Sequence, residues 1–99
     1  MLVPIEKVLY LRAELKYITV RTVEHEYLIE ESLIALEKEF AARFIRIHRN
    51  CLVAKEEIEG FEKIAETDDS DAHWAAKLKG LEELLPISRR QQYIVKEFG

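Results

Sequence analysis

The apolar and polar positions alternate along residues 44–48, which is the period of a half-buried strand. Ile45 and Ile47 can then face a core. The opposite face of this strand would carry Phe44, Arg46 and His48. Arg49 and Asn50 interrupt the alternation, and Leu52-Val53 resume an apolar run. The stretch therefore predicts a strand, a polar turn and a second strand.

Five further segments are predicted to be strands, and the second of them is rich in β-branched and aromatic residues. They are residues 5–11, 17–22, 27–29, 73–78 and 84–87. Residues 12–16 form a polar connection, and residues 23–26 form the turn of a hairpin. Between Lys55 and Ile64 the apolar spacing suits a helix, but Gly60 weakens one, so we predict a strand after Glu59. Pro86 lacks an N–H group and belongs on a sheet edge.

Two helices are predicted among these strands. Ser32 is a suitable N-cap for the first helix, and Leu33, Leu36 and Phe40 fall on one of its faces. Ser88 is the corresponding cap of a helix near the end of the chain. One side of that last helix would carry Gln91, Ile94, Val95 and Phe98. Residues 67–71 have the composition of a loop. Many short strands with one central and one terminal helix predict a β-rich α+β domain.

Charge is segregated along this acidic chain, whose net charge is −4. No Asp or Glu occurs between Phe40 and Lys55, and none occurs between Pro86 and Lys96. The first of these segments carries Arg43, Arg46, Arg49 and Lys55, and the second carries Arg89, Arg90 and Lys96. Eight acids lie between Glu56 and Asp71. Two basic segments can therefore form one face that suits a polyanion, with the acids elsewhere.

The composition also narrows the class of protein. At 99 residues the chain forms one domain, and no apolar run approaches the roughly 20 residues of a membrane span. The opening residues do not resemble a signal peptide, and the single cysteine, Cys51, fits a reducing cytoplasm as a buried apolar residue. His25, His48 and His73 have no ligand spacing, so we expect no metal and no cofactor. With no phosphate loop or nucleophile motif, we do not expect an enzyme.

Several motifs, in this order and spacing, resemble the LytTR-type DNA-binding domain of bacterial response regulators. They are Val8-Leu9-Tyr10-Leu11-Arg12-Ala13-Glu14 with Lys16-Tyr17, Glu31-Ser32-Leu33 with Leu36-Glu37, Phe44-Ile45-Arg46-Ile47-His48-Arg49-Asn50 with Val53 and Ile58, and Pro86-Ile87-Ser88-Arg89-Arg90. The resemblance covers nearly the whole chain. It implies an elongated fold of antiparallel β-sheets in which loops, rather than a recognition helix, enter the major groove of direct-repeat promoter sites.

The resemblance also implies which residues contact DNA. The matching positions are Lys16 in the first loop, Arg49 and Asn50 in the central turn, and Arg89 with Arg90 near the end. A guanidinium such as that of Arg49 can bond bidentately to guanine O6 and N7. The alternatives are a solvated turn arginine and, for Asn50, a side chain that shapes the turn.

Residue chemistry adds four further candidates to the expected interface. Arg46 and Lys55 suit phosphate oxygens, or else they belong to a solvated strand face. His48 can donate to a phosphate or serve as a structural hydrogen-bonding residue. Ser88 begins a helix whose free N–H groups suit an anion, or it is simply a cap.

Two hypotheses for the function follow. The first is a transcription regulator that binds specific double-stranded promoter DNA in the cytoplasm. The second is a small β-rich domain whose basic face binds an acidic protein partner. For the first, we expect residues 1–99 to be the output domain of a regulator whose receiver domain lies outside this sequence. The isolated domain, without a heptad seam, should be a monomer, with two copies binding adjacent half-sites on DNA.

Overall fold

The computed structural model describes residues 3–64 and 73–98. In these parts the chain forms eight strands and two α-helices. The strands are β1 (Tyr10–Glu14), β2 (Tyr17–Arg21), β3 (Glu26–Ile29), β4 (Phe44–His48), β5 (Cys51–Ala54), β6 (Ile58–Ile64), β7 (His73–Leu78) and β8 (Leu84–Pro86), and the helices are α1 (Leu33–Glu39) and α2 (Tyr93–Phe98). Short 3-10 helices cover Ile5–Lys7, Lys55–Glu57 and Arg89–Gln91.

The strands form two antiparallel sheets. The larger has five strands in the order β3-β2-β1-β5-β4, and the smaller has three in the order β6-β7-β8. The domain is elongated, with extents of 42 × 25 × 23 Å. The predicted β-rich α+β architecture of antiparallel sheets is therefore confirmed. Pro86 lies on the edge strand β8, as expected for a residue that cannot donate to a ladder.

Both faces of the larger sheet are buried at β1 and β5, because alternate residues of these two strands point into different cores. One core lies between the two sheets and includes Tyr10, Val53 and Leu85, with Ile94 of α2. The other lies beneath α1 and includes Leu11, Leu52 and Leu36. The continuous apolar run of β5 is what a strand covered on both faces requires.

Helix α1 begins as the sequence predicts. The Ser32 side chain accepts a hydrogen bond from the Ala35 N–H at 3.3 Å, and Leu33 and Leu36 are buried. No helix in the described parts of the chain is long and apolar enough to cross a membrane.

Three sequence-based expectations about local structure are wrong. Residues 5–11 do not form a strand: a 3-10 helix covers Ile5–Lys7, and β1 extends from Tyr10 through the predicted polar connection to Glu14. Phe44 is not on an open face but is 2% exposed, packed in the core beneath α1. Ser88 does not cap an α-helix, because it precedes a 3-10 helix without a side-chain capping bond. The predicted loop at residues 67–71 lies outside the described residues.

Candidate nucleic-acid interface

The turn between β4 and β5 holds Arg49 at its tip. The carbonyl oxygen of Asn50 accepts a hydrogen bond from the N–H of Ala13 in β1 at 2.8 Å, and the N–H of Asn50 donates to His48 Nδ1 at 3.5 Å. These bonds hold the backbone of Asn50, the residue that follows the tip. The Arg49 side chain is exposed. A histidine whose Nδ1 accepts a hydrogen bond has Nε2 as its donor, so Nε2 of His48 is available to donate.

Arg46 stabilises this turn by hydrogen bonds to α1 and to the turn backbone. Its Nε and Nη2 donate to Glu37 Oε1 of α1 at 3.1 and 2.7 Å, and its Nη1 donates to the carbonyl oxygen of Arg49. The side chain of Arg46 is 18% exposed. Arg46 therefore links α1 to the turn. These contacts speak against the phosphate contact that the sequence suggested for it.

The segment Ser88–Arg90 lies beside the same turn, although it is some forty residues away in the sequence. The N–H of Ser88 donates to the carbonyl oxygen of Ile47 at 2.8 Å, which ties this segment to the end of β4. A shared surface depression is lined by His48, Arg49, Ser88, Arg89 and Arg90. The structure thus brings together five of the residues that the sequence predicted for the site.

The turn between β1 and β2 lies at the same end of the larger sheet. Arg12 of β1 pairs with Cys51, the first residue of β5, so β1 ends next to the β4–β5 turn. Leu15 and Lys16 form the two-residue connection between the paired residues Glu14 and Tyr17. This connection extends about 7 Å beyond Ala13, at roughly 3.3 Å per residue. We call the Leu15–Lys16 turn, the Arg49–Asn50 turn and the Ser88–Arg90 segment together the loop end.

The cationic side chains of the loop end are open to solvent. In the described parts of the chain, no acceptor or carboxylate pairs with the side chains of Lys16, Arg49, Arg89 or Arg90. All four residues are exposed. Unpaired, exposed cations on short, pinned turns can approach a polyanion without first breaking internal contacts.

Lys55 does not join the loop end. It follows β5, while the Arg49–Asn50 turn precedes that strand, so β5 separates the two by about 13 Å. The Nζ of Lys55 donates to the carbonyl oxygen of Ala41 at 3.2 Å. The structure therefore separates Lys55 from the residues with which the sequence grouped it.

A polar network that the sequence did not predict supports the loop end. The Tyr10 hydroxyl donates to Glu83 Oε1 at 3.1 Å, and Arg12 Nη2 donates to Glu83 Oε2 at 3.2 Å. The Arg12 guanidinium lies 4.8 Å from the centre of the Tyr10 ring. Burial raises the pKa of Tyr10 to about 12, with the neighbouring Glu83 carboxylate adding to the shift. Arg12 and Glu83 are 71 residues apart, so no local pattern could have revealed the pair.

Burial also determines the chemistry of Cys51, which follows Asn50. The thiol is buried and unbridged, and burial raises its pKa to about 12. A thiol with a raised pKa is a poor nucleophile. This agrees with the sequence-based interpretation of Cys51 as a packing residue. Within residues 3–64 and 73–98, no group of three His, Cys, Asp or Glu residues could hold a metal ion.

Comparison with known proteins identifies this arrangement. The protein-family model described as the LytTr DNA-binding domain matches residues 1–99 of this sequence. The chain belongs to the LytTR family of DNA-binding domains. Among solved structures, it is similar to the LytTr DNA-binding domain of a Bacillus cereus protein described as a methyl-accepting/DNA response regulator. The two share 25% sequence identity with a TM-score of 0.76, over 97% of this chain and 84% of that one.

A curated relative is the positive alginate biosynthesis regulatory protein of Pseudomonas aeruginosa. This LytTR domain is 44% identical to it over 90 residues, which are 90% of the chain and 34% of the relative. The chain thus spans about a third of the length of that relative. The sequence resemblance to the family is confirmed, and between the two functional hypotheses family membership favours DNA binding over an acidic protein partner.

Proposed function

We propose that this LytTR domain binds specific sequences in double-stranded promoter DNA, as the output domain of a bacterial transcription regulator. Its loop end enters the major groove. The observation that carries the proposal is the meeting of Arg49 with Arg89 and Arg90 around one depression. Two basic segments of the chain, far apart in sequence, contribute to a single exposed surface, which is the arrangement that a polyanionic duplex requires.

Within this surface, the arginines divide into base readers and phosphate anchors. Arg49 is the first reader, because its turn is pinned by Ala13 and braced by Arg46, and a rigid tip can hold a bidentate contact to guanine O6 and N7. Arg89 is the second reader, at the start of the 3-10 helix tied to β4. Arg90 and Lys16 bind phosphates, which fix the register on the duplex without reading its sequence.

The remaining predicted residues take supporting roles. His48 shapes the turn through Nδ1 and can donate Nε2–H to a phosphate. Asn50 either bonds adenine or shapes the turn, and Ser88 docks the second reader through its backbone. Arg46 positions the Arg49 turn. Lys55 is placed away from the duplex.

The arrangement of the regulator on DNA follows from the family resemblance. We infer that the isolated domain is a monomer and that two copies bind direct repeats at adjacent half-sites. The alginate regulatory protein is about three times longer than the part matched here, which leaves room for a receiver domain in a full-length protein. Such a regulator would act in the cytoplasm, where bacterial promoters are. Sedimentation of the isolated domain checks the monomer, and a stable dimer without DNA would contradict it.

Selection of bound duplexes from a random pool tests the central proposal. We expect an enriched motif that repeats in direct orientation, together with an affinity for it that falls as salt rises. The selected duplex and a scrambled duplex of the same composition are then titrated in parallel. Equal affinity for the two at every salt concentration would show that the domain does not read sequence.

A further inference from the structure

Leu15 occupies an unusual position at the tip of the β1–β2 hairpin. It is the one non-glycine residue with a positive φ in the described part of the chain, at 51°. Two-residue hairpin turns that need a positive φ at the first position normally use glycine there. A leucine in this conformation is strained. The fold of the hairpin therefore does not explain why a large side chain stands at the tip.

The solvent exposure of Leu15 also shows that its side chain does not stabilise the free domain by packing. Leu15 is 107% exposed, which is as open as a side chain in an extended peptide. Beside it, a shallow surface depression is lined by Tyr17 and Leu28, which are 43% and 65% exposed. Leu15, Tyr17 and Leu28 therefore form a small apolar surface at this tip that is open to contact with a partner.

The position of this tip indicates which partner it contacts. The Leu15–Lys16 turn projects from the same end of the sheet as Arg49, because β1 ends beside the β4–β5 turn. Lys16, the next residue, adds a solvated cation. An apolar tip flanked by unpaired cations suits a duplex, whose major groove carries one apolar group on its base edges, the 5-methyl group of thymine.

We propose that Leu15 is a specificity-determining residue that packs against a thymine methyl group in the major groove. The inference rests on the proposed function and deepens it, since it adds an apolar contact to the hydrogen bonds of Arg49 and Arg89. It assigns to the β1–β2 turn a preference for an A·T pair at one position of each half-site. Lys16 anchors the same turn to the backbone of the duplex.

A methyl-deletion cycle tests this contact. Each thymine of the preferred half-site is replaced in turn by deoxyuridine, which lacks only the methyl group, and the affinity of the domain is measured. We expect one position at which the replacement weakens the unaltered domain about fourfold, the effect of one buried methyl group. For Leu15→Ala, the same replacement should have no effect. A cycle that is additive at every thymine would overturn the proposal.

Two further variants make the result specific. Leu15→Gly accepts the positive φ without strain, so its midpoint of thermal unfolding should not fall, yet the methyl effect should disappear. Ile34→Ala removes another exposed apolar side chain, 60% exposed, from α1 and should keep the methyl effect. If the unaltered domain prefers its selected duplex but loses nothing with any deoxyuridine, only the role of Leu15 fails. If it does not distinguish selected from scrambled duplex, the proposed function itself fails.

Discussion

The two ends of the larger sheet use their cations in opposite ways. At the loop end, the side chains of Lys16, Arg49, Arg89 and Arg90 are exposed and pair with nothing in the described part of the chain. At the opposite end, where β1 begins and β5 stops, Arg43 is 16% exposed and donates to the carbonyl oxygens of Glu6 and Val8 at 2.8 and 3.0 Å. Lys55 at that end donates to Ala41.

The acidic residues are distributed in the reverse sense. A depression at the opposite end is lined by Glu6, Glu24 and Glu57, with Lys7 as its cation. Acids near the loop end are instead engaged by arginines: Glu83 by Arg12, and Glu37 by Arg46. The difference teaches that a cation-rich segment of sequence does not define an interface by itself. The tertiary contacts decide which of its cationic side chains stay unpaired and open to a partner.

Replacing Arg49 at the loop end should give the largest effect on binding. Arg49→Ala removes the bidentate contact proposed for this residue and should cost about 1–3 kcal/mol on the preferred duplex, with relaxed specificity at one base pair. Its unfolding free energy should change little, because the side chain is exposed. Titration against preferred and scrambled duplexes measures the loss of affinity and the loss of specificity.

Lys55→Ala is the matched control at the opposite end, and it should leave both affinities unchanged. The sequence left open either a phosphate contact or a solvated strand face for Lys55, so a loss shared by all duplexes would support the phosphate contact and break the comparison of the two ends. If Arg49→Ala lowers the affinity for both duplexes by the same factor, Arg49 is an anchor rather than a reader.

Arg43 should show the opposite behaviour, with a cost in stability instead of binding. Arg43→Ala leaves two carbonyl oxygens without their charged donor, and we expect a loss of about 2 kcal/mol in the free energy of unfolding. Urea titration measures it. Arg43→Lys keeps the charge but not the guanidinium geometry and should recover only part of the loss. A normal stability of Arg43→Ala together with weakened DNA binding would place the opposite end on the duplex.

The sequence indicated which turn residues lie together better than it predicted the bounds of the strands around them. Hydrophobic periodicity correctly indicated the β4–β5 hairpin, and the resemblance named the turn residues that the structure brings together. Residues 12–16 were misjudged as a connection because Arg12 and Glu14 are polar. Arg12 is accommodated within β1 by Glu83, a partner 71 residues away that no local pattern contains.

The second error came from assuming that one face of β4 is open. Alternation assigned Phe44 to the solvent side, but α1 covers that face as the smaller sheet covers the other. The sequence also grouped Arg46 and Lys55 with the cations of the loop end, because it does not show which acceptors these two side chains meet in the fold. Charge along a sequence is visible, but the acceptor that neutralises each cation depends on tertiary contacts.

The stability of the domain at alkaline pH tests whether the Cys51 thiol beside the loop end is buried in its protonated form. Cys51 lies directly after the Arg49–Asn50 turn, and burial raises the pKa of its thiol from the ordinary value of 9.0 to about 12. Between these values the unfolded chain has lost a proton that the folded chain keeps, so stability falls as pH rises. The loss from this group should reach about 0.8 kcal/mol at pH 9.5. Unfolding of Cys51→Ala should show a shallower decline between pH 7 and pH 9.5, and an identical decline would contradict the assignment.

The smallest expected effect is the contribution of a single phosphate anchor. Arg90 lines the depression shared with Arg49 but is not assigned to a base, so Arg90→Ala should weaken preferred and scrambled duplexes equally. Each lost phosphate contact reduces the steepness of log affinity against log salt by about 0.9. Between 50 and 200 mM salt, the fold-loss of affinity of the variant should therefore be smaller than that of the unaltered domain by a factor of about 3.5. Lys55→Ala, at the opposite end, should keep the original slope. A slope that falls by the same amount in both variants would mean that the duplex contacts cations at both ends of the sheet, and the division between open and internally paired cations would not describe binding.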